Sequence, residues 1–107
     1  MHVVTQDAYI PKHFKGVDLL VGAIGETTMV TLMTFKKGQT VGKHSHPHEQ
    51  CGYCLRGSFE LTAGGRTVTI RPGDSYAIPG NEEHSYVILE DADAVETFTP
   101  LRKDYLP

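Results

Sequence analysis

Apolar residues along the chain come in short alternating or β-branched runs, and turn-forming residues separate them. Glycine, proline or aspartate marks most of the gaps, as in the segment Pro72-Gly73-Asp74. Short runs with this punctuation favour an all-β sandwich or barrel. The predicted strands cover residues 17–24, 27–35, 51–55, 59–62, 67–70, 76–78, 86–89 and 95–98.

The two ends of the chain do not continue the strand pattern. Residues 1–15 and 100–107 are therefore predicted to be arms on either side of a barrel at residues 16–99, with one short helical turn within residues 5–14. A chain of 107 residues is long enough for one core but not for two. We expect a single domain over residues 1–107.

Charge and hydropathy exclude two classes of partner. Ten Lys and Arg against thirteen Asp and Glu give a net charge of −3, and no basic run offers a surface to nucleic acid. No apolar stretch approaches the roughly 20 residues needed to cross a bilayer, so no membrane partner is expected. The chain starts on a polar sequence without the pattern of a signal peptide, which predicts a cytoplasmic location.

Two cysteines, Cys51 and Cys54, form a single CxxC pattern. On an extended strand their Cα atoms would be about 10 Å apart, beyond the roughly 7 Å limit for a disulfide. Free thiols are the favoured interpretation. Half of a zinc ribbon or a redox pair is the alternative, although no second CxxC is present.

Histidines are concentrated after the turn at Gly38. His44 and His46 are two residues apart, so on a strand both side chains project from the same face and can reach one ion. Imidazole is the commonest protein ligand for zinc, iron, nickel and copper. His48 continues the alternation, but three such histidines in a loop are also compatible with solvent exposure.

The spacing of the histidines relative to glycine, glutamine and proline residues is a more specific signal than the His-x-His pair alone. One segment reads glycine, five residues, His-x-His, three residues, glutamine, six residues, glycine; a second reads glycine, five residues, proline, and a histidine five positions further on. These spacings resemble the two motifs of the cupin family. The matching residues are Gly38, His44, His46, Gln50 and Gly57 in the first motif and Gly73, Pro79 and His84 in the second.

The cupin resemblance implies a single jelly-roll β-barrel that holds one divalent metal ion through His44, His46, Gln50 and His84. Asn81 stands where a glycine is usual, which is a mild change because asparagine tolerates the left-handed conformation. Ile88 stands where an asparagine is usual, which concerns packing rather than ligation.

Gln50 stands where many cupins have glutamate. Three neutral imidazoles and a neutral amide leave the charge of a divalent ion uncompensated, which favours Lewis-acid chemistry and an anionic ligand. Zinc, nickel, manganese and ferrous iron all remain open as the metal. The alternative is that Gln50 only packs within its strand.

The last predicted strand carries a second group of polar residues. Glu96 and Phe98 share a face by strand parity, and Pro100 ends the strand so that Arg102 can turn back over the mouth of the barrel. The order Glu-x-Phe-x-Pro-x-Arg resembles the tail of the KdgF-like pectin-degradation cupins, which have aspartate at the first position.

The KdgF-like resemblance implies a catalytic acid or base at Glu96, a sugar contact at Phe98 and a carboxylate contact at Arg102. The alternatives are a surface charge for Glu96 and a solvated arm for Arg102. The implied reaction converts a 4,5-unsaturated uronate from pectin or alginate into the linear 5-keto-4-deoxyuronate. The expected partner is a small acidic sugar or another small anion.

Two other functions remain compatible with the sequence: a metal-dependent dioxygenase and a non-catalytic cupin that binds a small sugar or anion. Small cupins commonly pair, so a homodimer is also expected.

Overall fold

Ten antiparallel strands form the fold, in a computed structural model that describes residues 1–107. Two one-turn 3₁₀ helices, Gln6–Ala8 and Lys103–Tyr105, flank them. The prediction of an all-β fold is confirmed. The strands are β1 (Ile10–Phe14), β2 (Val17–Ile24), β3 (Met29–Phe35), β4 (Thr40–His44), β5 (Glu49–Arg56), β6 (Phe59–Ala63), β7 (Arg66–Ile70), β8 (Ser75–Ile78), β9 (His84–Ile88) and β10 (Ala92–Thr99).

The strands form two sheets that face each other as a jelly roll. One sheet has six strands in the order β1-β2-β3-β10-β5-β8, and the other has four in the order β4-β9-β6-β7. Alternation along the strands sends every second side chain into the space between the sheets. Phe35 from the larger sheet meets Phe59 from the smaller one, with ring centroids 5.3 Å apart.

Two strands lie outside the predicted set. Residues 10–14, assigned to an arm from the sequence, form β1 and pair with β2 from Ile10 opposite Val21 to Phe14 opposite Val17. β1 is an edge strand with no fully buried residue, so it lacks the apolar alternation on which prediction depends. β4 is missed for a similar reason, because Val41 is its only buried residue. The short turn predicted within residues 5–14 is present at Gln6–Ala8.

Gly57 shows why the first motif ends in glycine. Its φ of +76° is in the left-handed region, and a Cβ atom there would lie 2.0 Å from the carbonyl oxygen of Asp91. Only glycine fits this close approach between the end of β5 and the start of β10. The contact fixes β10, which carries Glu96 and Phe98, beside β5, which carries Gln50.

Both cysteines are free thiols, as predicted, with Cys54 buried and Cys51 exposed. No helix in the structure is both long and apolar enough to cross a membrane.

Candidate metal centre

Three histidines meet at one end of the space between the sheets. His44 ends β4, His84 begins β9, and the two are cross-strand partners. His46 lies in the loop that follows β4, and its carbonyl oxygen accepts a hydrogen bond of 2.7 Å from the backbone N–H of Asn81. Asn81 has a φ of +66°, which agrees with the expectation that asparagine replaces glycine in a left-handed position.

The ring orientations bring one nitrogen of each histidine close to the other two. The three candidate ligand atoms lie within 4.8 Å of one another. Each Nδ1 lies beside a backbone carbonyl oxygen, which can only accept, so a proton on Nδ1 satisfies that oxygen and leaves the lone pair of Nε2 for a ligand. The Nδ1-to-oxygen distances are 2.9 Å from His44 to Gly42, 3.0 Å from His46 to His48 and 2.9 Å from His84 to Glu82.

These histidines fit a metal ion. Nε2 of His84 is buried and has no hydrogen-bond partner in the protein, which is costly for a polar atom unless a ligand satisfies it. Burial, with Arg102 and His84 nearby, lowers the pKa of His46 to about 4, and burial also lowers the pKa of His44. Neutral imidazoles with oriented lone pairs are the form that binds metals. The three-histidine cluster could therefore hold a metal ion.

Gln50 lies next to this cluster, and its hydrogen bonds determine which way its side-chain amide points. Its Nε2 donates 3.0 Å hydrogen bonds to the hydroxyl of Tyr86 and to Oε2 of Glu96, which uses both amide protons. Its Oε1 consequently faces Nε2 of His46, 3.1 Å away. A neutral His46 ring can donate either to this oxygen or to the carbonyl oxygen of His48, but not to both, and a cation at Nε2 and Oε1 would satisfy the remaining contact.

Glu96 lies at the centre of the larger sheet and is fully buried. Its neighbour on β5 is Gly52, and the neighbour of Gly52 on β8 is Tyr76. The ring of Tyr76 crosses over Gly52, where a Cβ atom would come within 2.4 Å of it, and its hydroxyl donates a hydrogen bond to Oε1 of Glu96. The missing side chain at position 52 thus allows Tyr76 to reach the carboxyl group.

The environment of Glu96 alters its proton affinity. Burial raises its pKa to about 7, while the hydrogen bonds from Tyr76 and Gln50 act in the opposite direction. A carboxyl group with a pKa near neutrality can accept and release a proton under ordinary conditions. A solvated surface charge is incompatible with this complete burial.

Arg102 is also inside the protein, with 5% of its surface exposed. Its guanidinium carbon lies 5.1 Å from the ring centroids of Phe14 and Phe98 and 4.4 Å from that of Tyr105. Arg102 is therefore buried and does not belong to a solvated arm. The Lys103–Tyr105 turn brings Asp104 back against Arg102, and their ion pair lowers the pKa of Asp104.

One cavity joins these groups. Its volume is about 30 Å³, enough for a water-sized group. Six of the seven sequence-predicted site residues line it: His44, His46, Gln50, Glu96, Phe98 and Arg102. His84, the seventh, contacts His44 and His46 with ring centroids 4.2 and 5.0 Å apart.

Sequence reasoning missed several groups around the cavity. Tyr76 and Tyr86 bind Glu96 and Gln50, while Phe14 and Tyr105 stack on Arg102. A glycine inside a strand often marks a close approach of another group, so Gly52 was a signal that could have led to Tyr76.

Gly52→Ala should lower the free energy of unfolding by about 1–3 kcal/mol, because the added methyl group overlaps the Tyr76 ring. Urea denaturation measures the change. Gly42→Ala is the matched control, since nothing lies within 4 Å of a Cβ atom at that strand position. Equal stabilities for the two variants would contradict the described packing of Tyr76.

Comparison with known proteins establishes the class. Residues 31–99 match the cupin domain family, and the chain belongs to this family. The predicted cupin jelly roll is confirmed.

Within the cupin family, this chain is similar to KdgF proteins. The chain is 36% identical over 80 residues to the pectin degradation protein KdgF of Dickeya dadantii strain 3937, covering 73% of each sequence. It is similar to the structure of KdgF from a Halomonas species, with a TM-score of 0.88, 27% identity and 99% coverage of both chains. An RmlC-like cupin from Shewanella frigidimarina superposes with a TM-score of 0.89 at 23% identity, covering 99% of this chain and 96% of the other.

Proposed function

We propose that the protein is a metal-dependent cupin enzyme that opens a 4,5-unsaturated uronate to the linear 5-keto-4-deoxyuronate. The observation that carries the proposal is one cavity lined by a buried carboxyl group, a buried guanidinium and two members of a three-histidine cluster. The similarity to a pectin degradation protein supports an acidic sugar derived from pectin as the substrate. An alginate-derived counterpart has the same reacting groups.

His44, His46 and His84 would hold the metal, with Gln50 Oε1 as a fourth ligand. A bound divalent ion would act as a Lewis acid that polarises oxygen atoms of the substrate. Zinc, nickel, manganese and ferrous iron all suit this donor set of nitrogen and amide oxygen. The buried, partnerless Nε2 of His84 supports the assignment.

The proposed reaction is an isomerisation that balances without a co-reactant. The bond from C1 to the ring oxygen breaks as the C1 hydroxyl loses its proton and becomes an aldehyde. The ring oxygen then belongs to an enolate at C4=C5, and addition of one proton at C4 converts this enolate to the C5 ketone. One proton therefore leaves the C1 hydroxyl and one is added at C4, and a general acid–base group can carry out both transfers.

Glu96 is the proposed proton carrier. Its pKa of about 7 allows either protonation state near neutral pH, and the hydrogen bonds from Tyr76 and Gln50 hold the carboxyl group in one orientation. Complete burial keeps bulk water away from it. Phe98, on the same face of β10, would contact the sugar ring.

The direct test is incubation of the metal-loaded protein with 4,5-unsaturated galacturonate. We expect loss of ultraviolet absorbance as the double bond disappears, and no loss with metal-stripped protein. Consumption of oxygen would instead identify a dioxygenase. Binding of the uronate without any turnover would leave the non-catalytic cupin as the function.

Arg102 is the proposed contact for the substrate carboxylate. Arg102→Ala should raise KM by about 10-fold or more, the value of a lost charge-assisted hydrogen bond, with a smaller change in kcat. Arg102→Lys should recover little of this loss, because a point charge lacks the planar fork of the guanidinium. Steady-state kinetics with the unsaturated uronate gives both constants.

Lys103→Ala is the matched control for Arg102, since it removes a positive charge from the exposed neighbouring residue. Circular dichroism establishes that each variant folds. If KM in both Arg102 variants equals that of the parent, Arg102 does not bind the carboxylate.

We also propose that the protein acts as a cytoplasmic homodimer. Exposed Tyr53 and Leu55 on the outer face of β5 would supply apolar surface for the pairing.

A further inference from the structure

We propose that Asp104 is a positioning residue that holds Arg102 by one edge and leaves the other edge of its guanidinium for the carboxylate of the substrate. This inference rests on the proposed function, because it concerns how the proposed carboxylate contact is oriented. Asp104 would act through Arg102 and would not touch the substrate.

The hydrogen bonds between the two residues occupy one edge of the guanidinium. Nε of Arg102 donates to Oδ1 of Asp104 at 3.0 Å, and Nη2 donates to Oδ2 at 2.8 Å. Arginine has five N–H groups, so the pair uses two and leaves both Nη1 protons and one on Nη2. Nη1 donates to no protein atom. The remaining edge is the end-on pair of nitrogens, which matches the spacing of carboxylate oxygens.

Aromatic stacking restricts the orientation of the guanidinium plane. The rings of Phe14, Phe98 and Tyr105 lie within 5.1 Å of its central carbon. Stacking restricts tilt but allows rotation within the plane, and rotation decides which edge faces the cavity. The two hydrogen bonds to Asp104 remove this freedom.

Backbone contacts of residues 102–105 hold Arg102 and Asp104 together before any ligand binds. The backbone N–H of Tyr105 donates to the carbonyl oxygen of Arg102 at 3.0 Å, which closes the one-turn helix and returns Asp104 to the Arg102 side chain. The backbone N–H of Arg102 lies 3.2 Å from Sδ of Met29, which anchors the start of this turn. Orientation that is already present before binding costs the ligand no ordering entropy.

Arg102 and Asp104 differ in solvent exposure, and this difference favours a role for Asp104 in positioning Arg102. The side chain of Arg102 is 6% exposed, whereas that of Asp104 is 53% exposed. The hydrogen bonds from the Arg102 guanidinium hold the pKa of Asp104 below its usual range, which favours the charged carboxylate. Asp104 thus compensates a buried cation from the solvent side and leaves the cavity side to the ligand.

Asp104→Asn is the test variant, because it keeps the shape of the side chain but offers only one acceptor oxygen to the fork. We expect KM for 4,5-unsaturated galacturonate to rise about 10-fold and kcat to change by less than about 3-fold. Asp104→Glu should recover part of the loss, since it restores two acceptor oxygens. A merely structural role would lower kcat and folding stability together and would not be rescued by the conservative variant.

Asp18→Asn is the matched control, because it makes the same change of net charge at an exposed strand position. Calorimetric titration with saturated galacturonate adds a readout that does not need turnover. We expect weaker binding in Asp104→Asn than in Asp18→Asn, and no such difference for neutral galactose.

The outcomes separate this inference from the proposed function. Turnover by the parent with an unchanged KM in Asp104→Asn overturns the role of Asp104 alone. A lower KM in that variant would mean that Asp104 competes with the substrate, which also overturns it. Absence of turnover, with galacturonate binding that weakens in Asp104→Asn, supports the positioning role while the enzymatic function fails. Absence of both turnover and galacturonate binding by the parent overturns both.

Discussion

Replacing His84 with alanine should reduce metal binding by at least about 100-fold, while the parent protein should purify with about one divalent ion per chain. His84 is buried, and its Nε2 has no partner within the protein, so the ring contributes a lone pair that nothing else in the fold uses. His46→Ala should have the same effect. Elemental analysis of the purified variants measures the metal content, and loss of the metal should abolish turnover.

His13→Ala is the control for these variants, because the His13 side chain is 78% exposed and pairs with Asp18 on the surface. It should retain the parent metal content. The three-histidine site would be wrong if His46→Ala and His84→Ala bound as much metal as His13→Ala.

Glu96→Gln should lower kcat by about 10² or more with the metal content unchanged, because a positioned acid–base group typically contributes 10²–10⁴ in rate. The amide keeps the size of the side chain and can still accept from Tyr76, but it cannot carry a proton between oxygen and carbon. Loss of absorbance from 4,5-unsaturated galacturonate measures kcat. Glu96→Asp should keep part of the activity, since the related family has aspartate there, although its shorter arm must still reach.

Glu83→Gln is the matched control for Glu96, because it neutralises an exposed glutamate next to His84. It should turn over substrate at the parent rate. Parent-like kcat in a folded, metal-loaded Glu96→Gln variant would remove Glu96 from the reaction.

The parts of this protein that could be predicted from its sequence depend on local periodicity. Strand alternation predicts that Glu96 and Phe98 share a face, and the structure buries both, with exposures of 0% and 1%. The spacing of His44 and His46 relative to His84 predicts their convergence, because the cupin resemblance implies the strand pairing. Asn81 has the left-handed backbone conformation expected of a residue in place of glycine.

The parts that could not be predicted depend on contacts between distant strands. Tyr76 reaches Glu96 only because β5 lies between β8 and β10 in a particular register, and no local pattern specifies that order. Phe14 stacks on Arg102 because an edge strand with little apolar alternation joins the larger sheet. The Asp104 pair with Arg102 requires a one-turn helix too short for periodicity to reveal.

The close fit of Tyr76 over Gly52 has a consequence for how this protein can diverge. A larger residue at position 52 is tolerated only if position 76 becomes smaller, and a smaller residue there leaves Glu96 without the Tyr76 hydroxyl. Drift at one of these positions is therefore constrained by the other, although they lie on different strands. In an alignment of sequences that share this arrangement, we expect glycine at position 52 and tyrosine at position 76 to be inherited or lost together.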